Sequence, residues 1–412
     1  MHTFLPHPAG RTQACVLAFS LAINFPPSAM VNKRKEPLHR GSLHVTSLLP
    51  GIVRGGPWTE PTYADSTDGD SVTGEDLTVR RISLRALGPY NGSVVIVDSA
   101  TGRILSILNQ RLALGIGYQP CSTFKVCVAL AALSEKAIEP VATNRPDRSR
   151  IDLTVALARS NNYFFANLGR ELGFEKISYY ARRFGYGEEA GLNLAGERAG
   201  HFPLTPPANG GVSMLSSFGE EISQTPLQFA ALMSAIANGG TLYRLQYPPK
   251  AQEVASFTPR IKRELRIEAP IFEIIPGLRA AVERGTARAA RQEEPIAGKT
   301  GTCSENHTHL GWFGAFNGVG HRLVVVVLLR GGRQATGARA AAIAGTIYRR
   351  LDEANYLAAS SAFRPTTPPS PHRTISTSIL AKVLILLWAS AMLIFIWQKL
   401  NGPRTKRTGI LN

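Results

Sequence analysis

The sequence of 412 residues predicts an α+β fold, an antiparallel sheet of about five strands flanked by helices, with a helical block set between its strands. Three observations predict it. Two β-rich runs come first, a stretch of helical patterns follows, and three further β-rich runs close on a last helix. Strands and helices gathered in blocks, rather than alternating one for one, favour antiparallel pairing with helices packed on the sheet.

The first pair of runs is "SVVIVD" (Ser93 to Asp98) and "RILSIL" (Arg103 to Leu108), joined by "SATG", a hairpin signal. An apolar helix, "STFKVCVALAALSEKAI", follows. In "TPLQFAALMSAIANGG" Thr225 is placed to cap, Pro226 suits the first helical position, and Gly239-Gly240 stop the helix. After Pro295 come the strand candidates "IAGKTGTC", "LGWFGAF" and "RLVVVVLL", then the helix "ARAAAIAGTIYRRLDEA" (Ala338 to Ala354).

Hydrophobic residues make up 44% of the chain, enough for a core, which excludes global disorder. A net charge of +17 suits an anionic partner. The basic residues are scattered, however, with no helix-turn-helix, zinc-finger or aromatic RNA-binding signature, so the charge is read as a surface property and no nucleic acid is expected. Four cysteines are too few for a disulfide scaffold, and no CxxC pair suggests a metal.

Both ends carry hydrophobic segments. "ACVLAFSLAINF" (Ala14 to Phe25) has the length of a signal-peptide core, with Arg11 before it, although Lys33, Arg34 and Lys35 follow closely. "ILAKVLILLWASAMLIFIW" (Ile379 to Trp397) is long enough to span a bilayer, and Lys399, Arg404, Lys406 and Arg407 behind it place the C-terminus in the cytoplasm. The expected organisation is a signal-like segment (1–29), a linker (30–76), a folded body (77–359), a Pro/Ser/Thr-rich stalk (360–378), a transmembrane helix (379–397) and a basic cytoplasmic tail (398–412). Within the linker, the acidic "ADSTDGDSVTGED" (Ala64 to Asp76) lacks the EF-hand pattern and reads as solvated chain.

Three short motifs carry chemistry. Ser122 and Lys125 form S-x-x-K at the mouth of the apolar helix, where i and i+3 share a face. A lysine desolvated there is neutral often enough to take a hydroxyl proton. Taken alone, the pair reads better as a helix N-cap with a snorkelling lysine. Ser160 and Asn162 form S-x-N between helices, where capping is again the better reading of the motif taken alone. Lys299, Thr300 and Gly301 lie on a strand, where Lys and Thr face one cleft only with local twist, and Gly301 allows a substrate backbone to approach.

S-x-x-K, then S-x-N, then K-T-G is the signature order of penicillin-binding proteins and serine β-lactamases. The sequence resembles the penicillin-binding transpeptidase domain further, in "GSVVIVDSATGRILSILN", "FGYGEEAGLNLAGERAGHFP", "ISQTPLQFAALMSAIANGGTLYR", "VERGTARAA" and "AGKTGT". The resemblance covers about Leu77 to Asp352 and implies a β-lactamase-like fold with an all-helical subdomain. It implies a peptidoglycan D,D-transpeptidase in which Ser122 is acylated by a D-Ala-D-Ala stem peptide, Lys125 is the base and Ser160 relays the proton. Asn162 would hold the substrate amide, and Lys299 with Thr300 the terminal carboxylate, Lys299 also supplying positive potential. The backbone N–H groups of Ser122 and Thr302 would form the oxyanion hole. No cofactor is called for, β-lactams would act as inhibitors, and the body would work outside the bacterial cell membrane, alone or within a cell-wall synthesis complex.

The sequence departs from that family in two places: the stretch between Ser122 and Ser160 is short, and "SFGEE" (Ser217 to Glu221) replaces the usual "GQG". Other outcomes from the same motifs are a D,D-carboxypeptidase or a serine β-lactamase; "EAGLN" (Glu189 to Asn193) fits the latter's deacylation string, although the landmark around it is a transpeptidase one. A non-catalytic β-lactam sensor or division scaffold is the alternative of another class. The resemblance also sets the Ser122 helix and the K-T-G strand on one cleft, as in class A β-lactamases that carry a disulfide there. It implies a Cys121–Cys303 disulfide under oxidising conditions, against a reading of both as small buried residues.

Overall fold

All five expected strand runs pair into one sheet. The computed structural model describes residues 58–138, 152–192, 194–248, 257–267, 271–318 and 323–361. The strands are β1 (Gly92–Asp98), β2 (Ile104–Leu108), β3 (Thr241–Tyr243), β4 (Ile261–Glu264), β5 (Ile296–Glu305), β6 (Thr308–Asn317) and β7 (Leu323–Gly331). The main sheet has the order β2-β1-β7-β6-β5, with every neighbouring pair antiparallel, and β3 and β4 form a separate ribbon that the sequence patterns did not signal. The helices are α1 (Leu77–Leu87), α2 (Gln110–Leu114), α3 (Lys125–Ser134), α4 (Leu153–Arg159), α5 (Asn162–Arg183), α6 (Gly211–Phe218), α7 (Pro226–Asn238), α8 (Ile275–Arg284), α9 (Gly337–Glu353) and α10 (Tyr356–Ser361).

The unbroken apolar run of β7 follows from burial on both faces. Val324, Val326 and Leu328 join one hydrophobic cluster with α3 and α7, whereas Leu323, Val325, Val327 and Leu329 join another with α1 and α9. The period of two splits one strand between two cores. Each fully buried Val or Leu contributes about 1.5–3 kcal/mol of transfer free energy. Helix α7 starts and stops where its sequence says. The Thr225 hydroxyl accepts from Gln228 N (3.0 Å), the Gln228 carboxamide accepts from Thr225 N (2.9 Å), and Gly239 closes the helix at φ 92°.

One expectation is corrected. Residues 58–76 are docked on the body rather than strung out as linker. Asp70 accepts from the backbone N–H groups of Asn109 (3.0 Å) and Gln110 (2.7 Å) and from the Arg80 guanidinium (2.8 Å). Glu75, fully buried at its side chain, accepts from Ile107 N (2.9 Å), Ser106 Oγ (3.1 Å) and Arg80 (2.9 Å). Asp76 caps α1 through Thr78 N and Val79 N. Asp70 and Glu75 are burial-competent because each meets several donors, supplied by Arg80, the end of β2 and the turn after it. Among the described residues no helix is long and apolar enough to cross a membrane; the segments 14–25 and 379–397 lie outside them.

Candidate active site

The site is assembled where the edge strand β5 meets the helical block. A 3₁₀ turn over Cys121–Phe124 leads into α3, and no side chain caps either helix, so the capping reading of Ser122 is set aside. Cys121 is held at φ 51°, a left-handed conformation costly for a residue with a Cβ, directly before Ser122. It is joined to Cys303 of β5 by a disulfide with a Cα–Cα distance of 5.7 Å. The remaining cysteine placed in the described residues, Cys127, is free and buried in α3.

Ser160 arrives from the C-terminus of α4, also left-handed at φ 54°. The next helix is capped by Asn161, whose side chain accepts from Phe164 N (3.0 Å). The capping role therefore falls to Asn161, which leaves Asn162 for the site.

Lys125 is the hub. It is buried, and its Nζ lies 3.1 Å from Ser122 Oγ, 3.2 Å from Ser160 Oγ, 2.9 Å from Ser160 O and 2.5 Å from Asn162 Oδ1. The Phe165 and Phe218 rings stand 5.5 and 6.0 Å away. Burial pushes the amine down to about 7. Two of its four oxygen neighbours, Ser160 O and Asn162 Oδ1, only accept. A neutral amine satisfies both with its two N–H groups and keeps one lone pair, directed by elimination at a hydroxyl. Among the described residues, no carboxylate is hydrogen-bonded to this amine.

Lys299 is fully buried on β5 and donates to Ser160 Oγ (2.9 Å) and Thr300 O (3.0 Å). Ser160 Oγ thus stands between two lysines. Burial first, and then the Lys125 charge, push Lys299 well below its usual range, and it meets both oxygens as an N–H donor.

The other K-T-G expectations change in detail. Thr300 points away from Lys299: its hydroxyl lies 2.6 Å from Thr286 Oγ1, as strand alternation requires without a local twist. Thr302, on the same face as Thr300, is exposed and accepts from Gly337 N at the start of α9 (2.9 Å). The room at Gly301 is taken by the turn that carries Ser122. A Cβ there would stand 2.9 Å from Pro120 O and 3.1 Å from Thr123 Cγ2. Thr286 escaped the sequence reading although it lies inside "VERGTARAA"; its N–H donates to Ala158 O (3.0 Å), tying the α8 end to the α4 end. Ser217 and Phe218 of "SFGEE" also border the site, Ser217 Oγ donating to Asn162 O (3.0 Å). Glu189, by contrast, belongs to the β3–β4 side, its carbonyl accepting from Lys262 Nζ (2.7 Å). The "EAGLN" string is therefore set against β4; its Asn193 lies outside the described residues.

With this geometry in view, the similarity to known proteins is specific. Over residues 92–349 the chain matches the family described as the penicillin binding protein transpeptidase domain. Stage V sporulation protein D of Bacillus subtilis (strain 168) is 31% identical over 311 residues, covering 64% of this chain and 48% of that protein. The chain thus spans about half the length of that relative. Peptidoglycan D,D-transpeptidase PbpA of Mycobacterium tuberculosis (strain ATCC 25618 / H37Rv) is 26% identical over 338 residues, covering 65% of this chain and 67% of that one. The apo transpeptidase domain of Burkholderia pseudomallei penicillin-binding protein 3 superposes with a TM-score of 0.59 at 18% identity, covering 72% of this chain and 98% of that chain. Pseudomonas aeruginosa PBP2 in complex with WCK 5153 gives a TM-score of 0.56 at 21% identity, with 69% and 78% covered. At such identities the structures speak for the fold.

Proposed function

We propose that this chain, which belongs to the penicillin-binding protein transpeptidase family, is a peptidoglycan D,D-transpeptidase acting through an acylated Ser122. One observation carries the reading: the buried Lys125 amine stands 3.1 Å from Ser122 Oγ and 3.2 Å from Ser160 Oγ. In the proposed reaction Ser122 Oγ attacks the carbonyl between the two D-alanines of a stem peptide and its proton passes to the Lys125 lone pair. The proton travels on through Ser160 Oγ to the nitrogen of the departing D-alanine. An amine of a second stem peptide then attacks the acyl-Ser122 ester and frees Ser122.

Each remaining residue has a defined part. Asn162 orients Lys125 through its carbonyl oxygen and presents its amide N–H₂ to the substrate. Thr302, exposed beside Gly301, offers its hydroxyl to the terminal carboxylate, with Thr300 behind it. That anion, once bound, raises the proton affinity of Lys299 and so favours its charged form. The backbone N–H groups of Ser122 and Thr302 stabilise the oxyanion, a contribution of about 3 kcal/mol for one such donor. Gly301 lets β5 lie close enough for the two N–H groups to converge.

The same reading places the body on the extracytoplasmic side of a bacterial membrane, held by residues 379–397, and makes β-lactams acylating inhibitors. What supports the placement is the apolar run and the basic residues behind it. Labelling with a fluorescent penicillin tests the core of the proposal. A stable adduct on the wild type, lost in Ser122→Ala with an unchanged melting temperature, is the expected result. No adduct on the folded wild type, or one that survives in Ser122→Ala, would overturn it.

A further inference from the structure

Beyond Cys303, β5 runs on to Glu305, six residues and about 20 Å from Lys299 along an extended strand. There Glu305 lines a cavity of about 320 Å³ together with Ile116, Tyr118, Ser223, Leu310 and Arg330. The proposed reaction uses none of these side chains.

Two groups on these walls have unmet bonding capacity of opposite kind. The Arg330 guanidinium lies over the Tyr118 ring, 4.6 Å from its centroid, and pairs with Glu60 through Nη2 (2.9 Å). Its Nε is buried and has no hydrogen-bond partner among the described residues. Glu305 accepts from Gln119 N (3.2 Å) through one oxygen, and no basic side chain among the described residues forms an ion pair with it. Burial raises its carboxyl above the usual range, only partly offset by Gln119 N and the Arg330 charge, so the carboxylate gains from a further donor brought to it. A simple cation would answer Glu305 but meet Arg330, and a simple anion would answer Arg330 but meet Glu305 and Glu60. A group carrying both charges answers both, and the exposed Ile116 with the buried Leu310 supplies an apolar wall for its carbon chain.

We propose that this cavity is a binding site for an α-amino-acid zwitterion, its ammonium donating to Glu305 and its carboxylate accepting from the accessible face of the Arg330 guanidinium. The shared chemistry has two sources, a free amino acid or the amino-acid end of a diamino-acid side chain in a peptide. The site is wired towards Ser122, because Gln119 N donates to Glu305 while Gln119 O accepts from Trp312 Nε1 (2.9 Å), three residues before the serine. Binding itself is independent of the acyl-transfer reading.

Calorimetric titration of the full chain in detergent tests the proposal, with D-alanine, L-alanine and meso-diaminopimelate as zwitterions and ethylamine and propionate as single-charge controls. The expected result is saturable binding of at least one zwitterion, with both controls at least about tenfold weaker, since each forfeits one charge-assisted bond. Glu305→Gln should weaken binding about tenfold or more, and Ile116→Trp, at an exposed position, should block it by bulk alone. Melting temperatures of both variants separate loss of binding from loss of fold. Tighter alanine assigns a free amino acid; tighter diaminopimelate assigns the peptide diamino acid. No saturable binding by any zwitterion, a control as tight as alanine, or zwitterion binding unchanged in both variants would overturn the proposal.

Discussion

Acylation of Ser122 should depend on pH with a break near neutrality, because the base works only when Lys125 is unprotonated. Burial brings that amine to about 7, from an ordinary lysine near 10.5. A tenfold change in proton affinity corresponds to about 1.36 kcal/mol, so the surroundings disfavour the ammonium by about 5 kcal/mol. The sign follows from which form reacts. Above pH 8 nearly all of the amine is neutral and the rate is flat; below pH 7 the neutral fraction falls about tenfold for each further step of one in pH. Between pH 8 and pH 6 the second-order rate of labelling by a fluorescent penicillin should therefore drop about tenfold, and by pH 5 about ninetyfold. The break belongs to the Lys125–Lys299 pair, since the charge of one lowers the proton affinity of the other. Stopped-time labelling across pH 5 to 9, with the fold followed by circular dichroism at each pH, measures it. A flat profile over that range in a folded protein would show that Lys125 is not the base. A break close to the ordinary lysine value would show that burial does not tune it.

Three further outcomes follow from packing. Gly301→Ala puts a Cβ 2.9 Å from Pro120 O, so β5 or the Ser122 turn must give; penicillin labelling should slow more than about tenfold, while urea melts show a loss of about 1–3 kcal/mol. Cys303→Ser opens a crosslink between residues separated by 182 positions, for which chain entropy gives about 5 kcal/mol as an upper value, and a stability loss of about 2–5 kcal/mol in chemical denaturation is expected. Glu75→Gln leaves Arg80 buried with one carboxylate fewer and should cost about 3 kcal/mol without altering Ser122 labelling; a neutral result would return residues 58–76 to the status of a loose tail.

Much of this molecule was readable from short-range patterns. The run "RLVVVVLL" signals a strand by β-branching and length, and Thr225, Pro226, Gln228 and Gly239 mark one helix from both ends. Such signals act within a few residues, so they survive in a linear string. The order of S-x-x-K, S-x-N and K-T-G likewise named Ser122, Ser160 and Asn162, which now meet at Lys125 Nζ, and Lys299, which bonds Ser160 Oγ. What escaped depends on partners far away in the chain. Asp70 and Glu75 looked like solvated acids because the N–H groups and guanidinium that bury them belong to residues 80 and 106–110. Thr286 carries no signal of its own until Thr300 lies 2.6 Å away.

Residue type and local spacing therefore settled the five strands of the main sheet and helix α7 and pointed to Ser122, Lys125, Ser160 and Lys299, since propensity, capping and periodicity are properties of neighbouring residues. The state of those side chains was settled by packing. Lys125 has its proton affinity lowered because residues from other parts of the chain remove water from it and leave only oxygens to bond. Gly301 is needed because Pro120, more than 180 positions earlier, lies against it. Desolvation and close approach arise between distant segments, and they exist only once the chain has closed on itself.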